Sequence, residues 1–201
     1  MSAEVIDAYF SVNSPWAFLG GRALRRLRDA LGATVRPRLI NAADVFGPTG
    51  TLPLPQRPKP RQDYRFVELR RWSAKLGVPL VLEPKHFPIP ERAAHGALLA
   101  AGDAGLDVRA LADAIGRAIW VEQRNAGDHD ELAAVLTGAG APDGAKLIAA
   151  GADVVFDRRL ADNAADALAA GAFGFPWYVF RGEPYWGQDR LSFIEDALRG
   201  E

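Results

Sequence analysis

The chain has 201 residues, 49% hydrophobic and 24% charged, with a formal net charge of −1. This is an ordinary globular composition with room for one large domain, or one domain carrying an insertion, and the near-neutral balance argues against nucleic acid or an anionic membrane as partner. Cysteine is absent, which excludes disulfide chemistry by the protein itself, thiolate metal sites and a cysteine nucleophile.

Residues 4–10 read as a buried strand that stops at a stretch carrying the small polar residues Ser11, Asn13 and Ser14. Ser14 is placed to cap a helix and Pro15 suits its first position, so residues 15–31 are expected to be helical, with Gly32 as the stop. Thr34 to Ile40 alternates as a second strand, giving a βαβ unit with a parallel pair. A helix N-terminus bearing a hydroxyl and free backbone donors suits an anion, a thiolate included.

Residues 44–62, rich in glycine and proline, read as a loop, 63–76 as a helix with Tyr64, Val67, Trp72 and Leu76 on its apolar side, and Val78 to Glu83 as a short extended piece. Ala- and Leu-rich segments at 91–105, 107–126, 129–139, 142–150 and 153–171 have helical periodicity. Two short strands follow, Trp177 to Phe180 and Pro184 to Trp186, joined by a turn at Arg181-Gly182-Glu183, and a last helix runs from about Gly187 to Arg199. His86, His95 and His129 lack the spacing of a helical zinc motif, so each is expected at the surface or in packing and no metal is expected. No cationic segment with a long apolar run opens the chain, and no run reaches membrane-spanning length, so the expected compartment is the cytoplasm.

The order βαβ, helical block, ββα is that of an α/β thioredoxin-like fold with a large all-helical insertion. The expected division is a discontinuous domain over 1–43 and 172–201, with a connecting loop and helical insertion over 44–171 packed on it. Ser14-Pro15-Trp16-Ala17 falls where oxidoreductases of the DsbA type carry Cys-x-x-Cys, Phe173-Gly174-Phe175-Pro176 where the fold carries its cis-proline, and Tyr185-Trp186-Gly187-Gln188-Asp189-Arg190-Leu191 follows in order. On these motifs the whole chain resembles the 2-hydroxychromene-2-carboxylate isomerase family, kin of the kappa-class glutathione transferases.

The resemblance implies glutathione as cofactor and a cis–trans isomerisation of 2-hydroxychromene-2-carboxylate or a similar aromatic pyruvate adduct. Ser14 would be the catalytic residue, stabilising the glutathione thiolate, with Pro15 and Trp16 beside it. Phe175, before a cis Pro176, would pair its backbone with the cysteinyl unit, and Gln188, Asp189 and Arg190 would meet the γ-glutamyl end. Relatives commonly carry an Asn and a Lys where Thr51 and Arg61 align here, and an Asp at the position of Glu68, so Thr51 and Arg61 are carried over as cofactor contacts. Asn13, Trp72, Trp120 and Trp177 are candidate substrate-pocket residues. The alternatives are a kappa-like transferase or peroxidase on the same site, or a non-catalytic thioredoxin-fold binding protein. The implied partners are glutathione, a small aromatic carboxylate and a second copy in a homodimer.

Overall fold

The computed structural model describes residues 4–200; residues 1–3 and 201 of the expected discontinuous domain lie outside them. Its centre is a four-stranded sheet in the order β2-β1-β3-β4, built from β1 (Val5–Phe10), β2 (Thr34–Leu39), β3 (Trp177–Phe180) and β4 (Glu183–Trp186). β1 runs parallel to β2 and antiparallel to β3, and β3 is antiparallel to β4. Pro37 is accommodated because β2 is an edge strand. α1 (Pro15–Leu31) makes the right-handed crossover and ends where Gly32 takes a left-handed conformation at φ 69°.

Alternation along the strands sends side chains to two faces. Ile6, Ala8, Tyr178 and Phe180 pack with Leu24 and Leu27 of α1 and with Leu191 and Ile194 of the terminal helix α9 (Leu191–Arg199). Tyr9 and Trp177 face the opposite way, against Val45, Ala164 and Ala167. The largest cluster joins Phe10, Val12, Ala17 and Leu39 to the inserted helices through Leu98, Ile115, Ile119 and Trp120, so insertion and sheet share one core. No helix among the described residues is long and apolar enough to cross a membrane.

Several expected boundaries are corrected. The stretch 44–62 is not a plain loop: α2 (Ala42–Thr49) lies across its start, a single 3-10 turn forms at Leu54–Gln56, and α3 (Lys59–Leu76) starts four residues early. The prolines misled the reading, since Pro60 occupies the first turn of α3, where a missing N–H costs nothing. Val78–Glu83 pairs with no strand, and its Val81 N–H bonds the Trp120 carbonyl. The helical block resolves into α4 (Arg92–Asp103), α5 (Val108–Trp120), α6 (His129–Gly138), α7 (Gly144–Gly151) and α8 (Val154–Ala169). α5 therefore ends six residues before its expected limit, and Gln123 beyond it takes a positive φ of 55°. The last helix begins only at Leu191, preceded by a separate 3-10 turn over Gln188–Arg190.

Candidate functional site

The strand register gathers the motifs at one end of the sheet. Tyr9 stands opposite Trp177, so the loop leaving β1 and the loop entering β3 emerge from the same end. The Ile40 N–H bonds the Phe10 carbonyl (3.2 Å) and carries the β2 exit there, and the Gly187 N–H bonds the Pro176 carbonyl (3.0 Å) and brings the β4 exit alongside. Residues 11–16, 41–51, 173–176 and 187–190 thus surround one corner.

Ser14 is the N-cap of α1. Its Oγ accepts from the Ala17 N–H (3.2 Å) and its carbonyl accepts from the Phe18 N–H (3.1 Å). The hydroxyl proton has no acceptor among the described residues, and Ser14 is only half-buried, so the proton is available to a ligand at the positive end of the helix. The Trp16 N–H has no backbone acceptor there either. Pro15 is buried and Trp16 half-buried.

Phe175–Pro176 is a cis peptide bond, as the sequence motif implies, and Phe87–Pro88, which the sequence reading missed, is a second. The Phe175 ring stacks on Phe46 of α2 at 5.7 Å between centroids. Its N–H and C=O find no backbone partner among the described residues, so this segment presents a short open strand edge. Thr51 does reach this loop, but its hydroxyl donates to the Phe173 carbonyl (2.8 Å) and ties α2 to the cis-proline segment.

Other assignments shift. Asn13 does not line an open pocket. Its side chain is spent on scaffold, with Oδ1 accepting from the Ile89 N–H (3.1 Å) and Nδ2 donating to the Ile89 carbonyl (3.0 Å) and Glu91 Oε2 (3.1 Å). Trp120 is fully buried against Phe87, and Trp177 is buried edge-on to Phe173, so both tryptophans are core. Trp72 is half-buried near the C-terminal end of α3 with the Lys75 ammonium over its ring. Arg61 is exposed and its guanidinium bonds no described residue, and Glu68, also on α3, pairs with Arg71. Gln188 is buried beneath the turn it opens, while Asp189 is half-buried and lies 3.2 Å from the exposed Arg190 guanidinium.

A buried polar cluster underlies the Ser14 loop, and sequence reading missed it. Glu91, just before α4, accepts from the Ser11 hydroxyl and Asn13 Nδ2 on one oxygen and from the Ala42 N–H (3.0 Å) on the other. His95, one turn on and wholly buried, takes the Val12 N–H on Nε2 (3.2 Å). That bond places the imidazole proton on Nδ1, facing Asn41 Oδ1 at 3.3 Å. Burial holds the His95 pKa well below its ordinary value, against the opposing pull of Glu91. The helical spacing of Glu91 and His95 was the available signal, but nothing in the sequence says that the Ser11–Asn13 loop lies over them.

The profile of the DSBA-like thioredoxin domain matches residues 5–199. The chain is 29% identical to a 2-hydroxychromene-2-carboxylate isomerase from Pseudomonas putida, over 96% of its own length and 94% of the relative's. It is 26% identical to another from Pseudomonas sp. (strain C18), over 98% and 91%. A solved structure of a 2-hydroxychromene-2-carboxylate isomerase superposes with a TM-score of 0.81 at 26% identity, covering 98% of this chain and 95% of that one. The chain belongs to the DSBA-like thioredoxin domain family.

Proposed function

We propose that the protein is a glutathione-dependent isomerase of 2-hydroxychromene-2-carboxylate or a closely related aromatic carboxylate. The similarity to isomerases of that name over nearly the full length supports the reaction class. The observation that carries the cofactor reading is the half-buried Ser14 hydroxyl, held as an acceptor by the Ala17 N–H with its own proton unspent.

The groups present fit a thiol tripeptide. The open N–H and C=O of Phe175 suit an extended backbone added beside them, and the Ser14 hydroxyl with the Trp16 N–H suits a sulfur anion. When bound, glutathione supplies a thiolate that can add to a conjugated carbon, permit rotation about the former double bond, and depart as the alkene re-forms. Ser14 donates to the sulfur and the α1 N-terminus favours its negative charge, which raises the thiolate fraction at neutral pH. The Glu91 cluster fixes the loop that aims Ser14.

The test is Ser14→Ala. A charge-assisted hydrogen bond of this kind contributes about 1.5–3 kcal/mol, so the bound thiol pKa should rise by about 1–2 units and turnover should fall accordingly. Thiolate absorbance titrated against pH reads the first, and consumption of 2-hydroxychromene-2-carboxylate with and without glutathione reads the second. Unchanged thiolate absorbance and turnover in a folded variant would leave Ser14 a helix cap only. Turnover of the wild type without glutathione would remove the cofactor from the mechanism.

A further inference from the structure

Arg57, Arg61 and Arg65 follow one another at four-residue spacing across the start of α3. None of the three forms an ion pair among the described residues, although most arginines of the chain do. Arg61 is exposed, but the other two turn inward. Arg57 donates from Nε to the Leu52 carbonyl (2.8 Å), and its guanidinium lies 6.0 Å from the centre of the Phe46 ring. Arg65 donates no hydrogen bond to any described residue. Its guanidinium carbon lies 5.9 Å from the ring centres of both Phe87 and Trp120 and 5.8 Å from that of Phe66.

Arg109 shows what this chain does with a buried guanidinium that serves structure. It is wholly buried, stacks over Phe10 at 4.5 Å and is held by Asp113, which also holds Arg25. Arg65 has the aromatic neighbours without the carboxylate. The guanidinium is half-buried among three rings, its five N–H donors have no acceptor among the described residues, and its open side can meet an anion. Burial and the nearby Arg57 charge both push the Arg65 pKa down, to about 10, still far above neutrality, so the charge persists.

Both aromatic neighbourhoods connect to the Ser14 corner. Phe46, beneath Arg57, stacks on Phe175 before the cis-proline. Phe87, against Arg65, precedes Pro88 and the Ile89 backbone that Asn13 clamps from the other side.

We propose that Arg65, assisted by Arg57, forms the carboxylate-binding element of this site, and that its ligand is a planar conjugated or aromatic carboxylate whose flat body packs on the surrounding rings. The guanidinium plane matches a carboxylate bidentately, and the rings favour a flat apolar body over a hydrated inorganic ion. The proposal deepens the isomerase reading, resting on it for the link to turnover but not for the existence of the anion site.

The experiment is calorimetric titration of the full chain, without glutathione, with trans-cinnamate, its neutral analogue cinnamamide, and inorganic phosphate. Wild type should bind cinnamate and not the other two. Arg65→Met should weaken cinnamate at least about tenfold and Arg57→Met by less, while Arg61→Met stays within about twofold. Arg65→Lys, which keeps the charge without the fork, should fall between. S-methylglutathione affinity should be unchanged in Arg65→Met, and its melting temperature unchanged or raised, because an unpaired half-buried charge has been removed. A purely structural arginine would show the reverse, a lower melting temperature with cinnamate affinity intact, and that result overturns the proposal. So does failure of wild type to bind cinnamate at millimolar concentration, or equal binding of cinnamamide or phosphate. If cinnamate binding depends on Arg65 but S-methylglutathione does not bind, the anion site stands and the thiolate mechanism falls.

Discussion

Glu91 bridges the Ser14 loop, the start of α2 and the start of α4, and Glu91→Gln isolates its charge at nearly constant volume. One carboxylate oxygen serves both the Ser11 hydroxyl and Asn13 Nδ2, and the other serves the Ala42 N–H at the start of α2. An amide has only one acceptor oxygen. If its NH2 faces Ala42, two donors confront each other; if it faces Ser11 and Asn13, the hydroxyl can rotate but Asn13 Nδ2 still meets a donor. At least one charge-assisted bond is lost and a part-buried donor is left unpaired, for about 2–3 kcal/mol. In a chain of this size that corresponds to a fall in melting temperature of roughly 5–10 °C. Urea denaturation gives the free energy. Hydrogen exchange at the Asn13 and Ala42 amides locates the loss, and both should lose protection more than the strand amides of β1. Glu122→Gln, which breaks the exposed pair with Arg117, is the control and should change stability by less than about 0.5 kcal/mol. If Glu91→Gln behaves like the control, the carboxylate does not anchor the loop and the positioning argument fails.

Two further outcomes follow from packing and titration. His95 is buried neutral with its folded pKa below the unfolded value of 6.5, so the unfolded chain binds more protons in mildly acid solution, and stability should decline as pH falls from about 6.5 towards the depressed folded pKa. Melting temperatures between pH 7 and pH 5 should drop more steeply for wild type than for His95→Gln, and parallel curves would remove His95 as the source. Gly96 of α4 meets Gly151 of α7 backbone to backbone, and a Cβ on Gly96 would overlap the Gly151 carbonyl. Gly96→Ala should therefore destabilise by about 3 kcal/mol or more despite its better helix propensity, whereas a gain in urea resistance would show that the helices can separate freely.

The outer thirds of the chain were legible because their signals are local. Ser14 and Pro15 write a helix start, Gly32 a helix stop, and the alternation in β1 and β3 assigns two buried faces, all within windows of a few residues. In the middle, proline is an ambiguous signal, since Pro60 stands in the first turn of a helix and Pro48 inside one. Within the site, local backbone features were legible, as with the Ser14 cap and the cis Phe175–Pro176 bond. Those whose role depends on where a long side chain points did not: Trp120 and Trp177 went to the core, Asn13 to the scaffold, and Arg61 to the surface.

The difference between Arg61 and Arg65 shows why direction could not be read. They stand four residues apart on one helix, so an α-helical pattern assigns them nearly the same face. What separates them is contributed from far away in sequence: Phe87, whose cis bond to Pro88 leads into the Ile89 clamp, and Trp120 at the end of α5. Arg65 is half-buried because those rings reach it, and Arg61, at the first turn of α3, is exposed. The same logic applies to Glu91 and His95, which look like an ordinary helical pair until β1 delivers three backbone and side-chain donors onto them. In this fold the local sequence sets which groups are offered to the site, and contacts of long sequence separation decide which of them are desolvated. Partial burial against those rings is what would make Arg65 an anion receptor, so on this reading the chemistry of the corner depends on the insertion as much as on the strand–turn–helix motif that announces it.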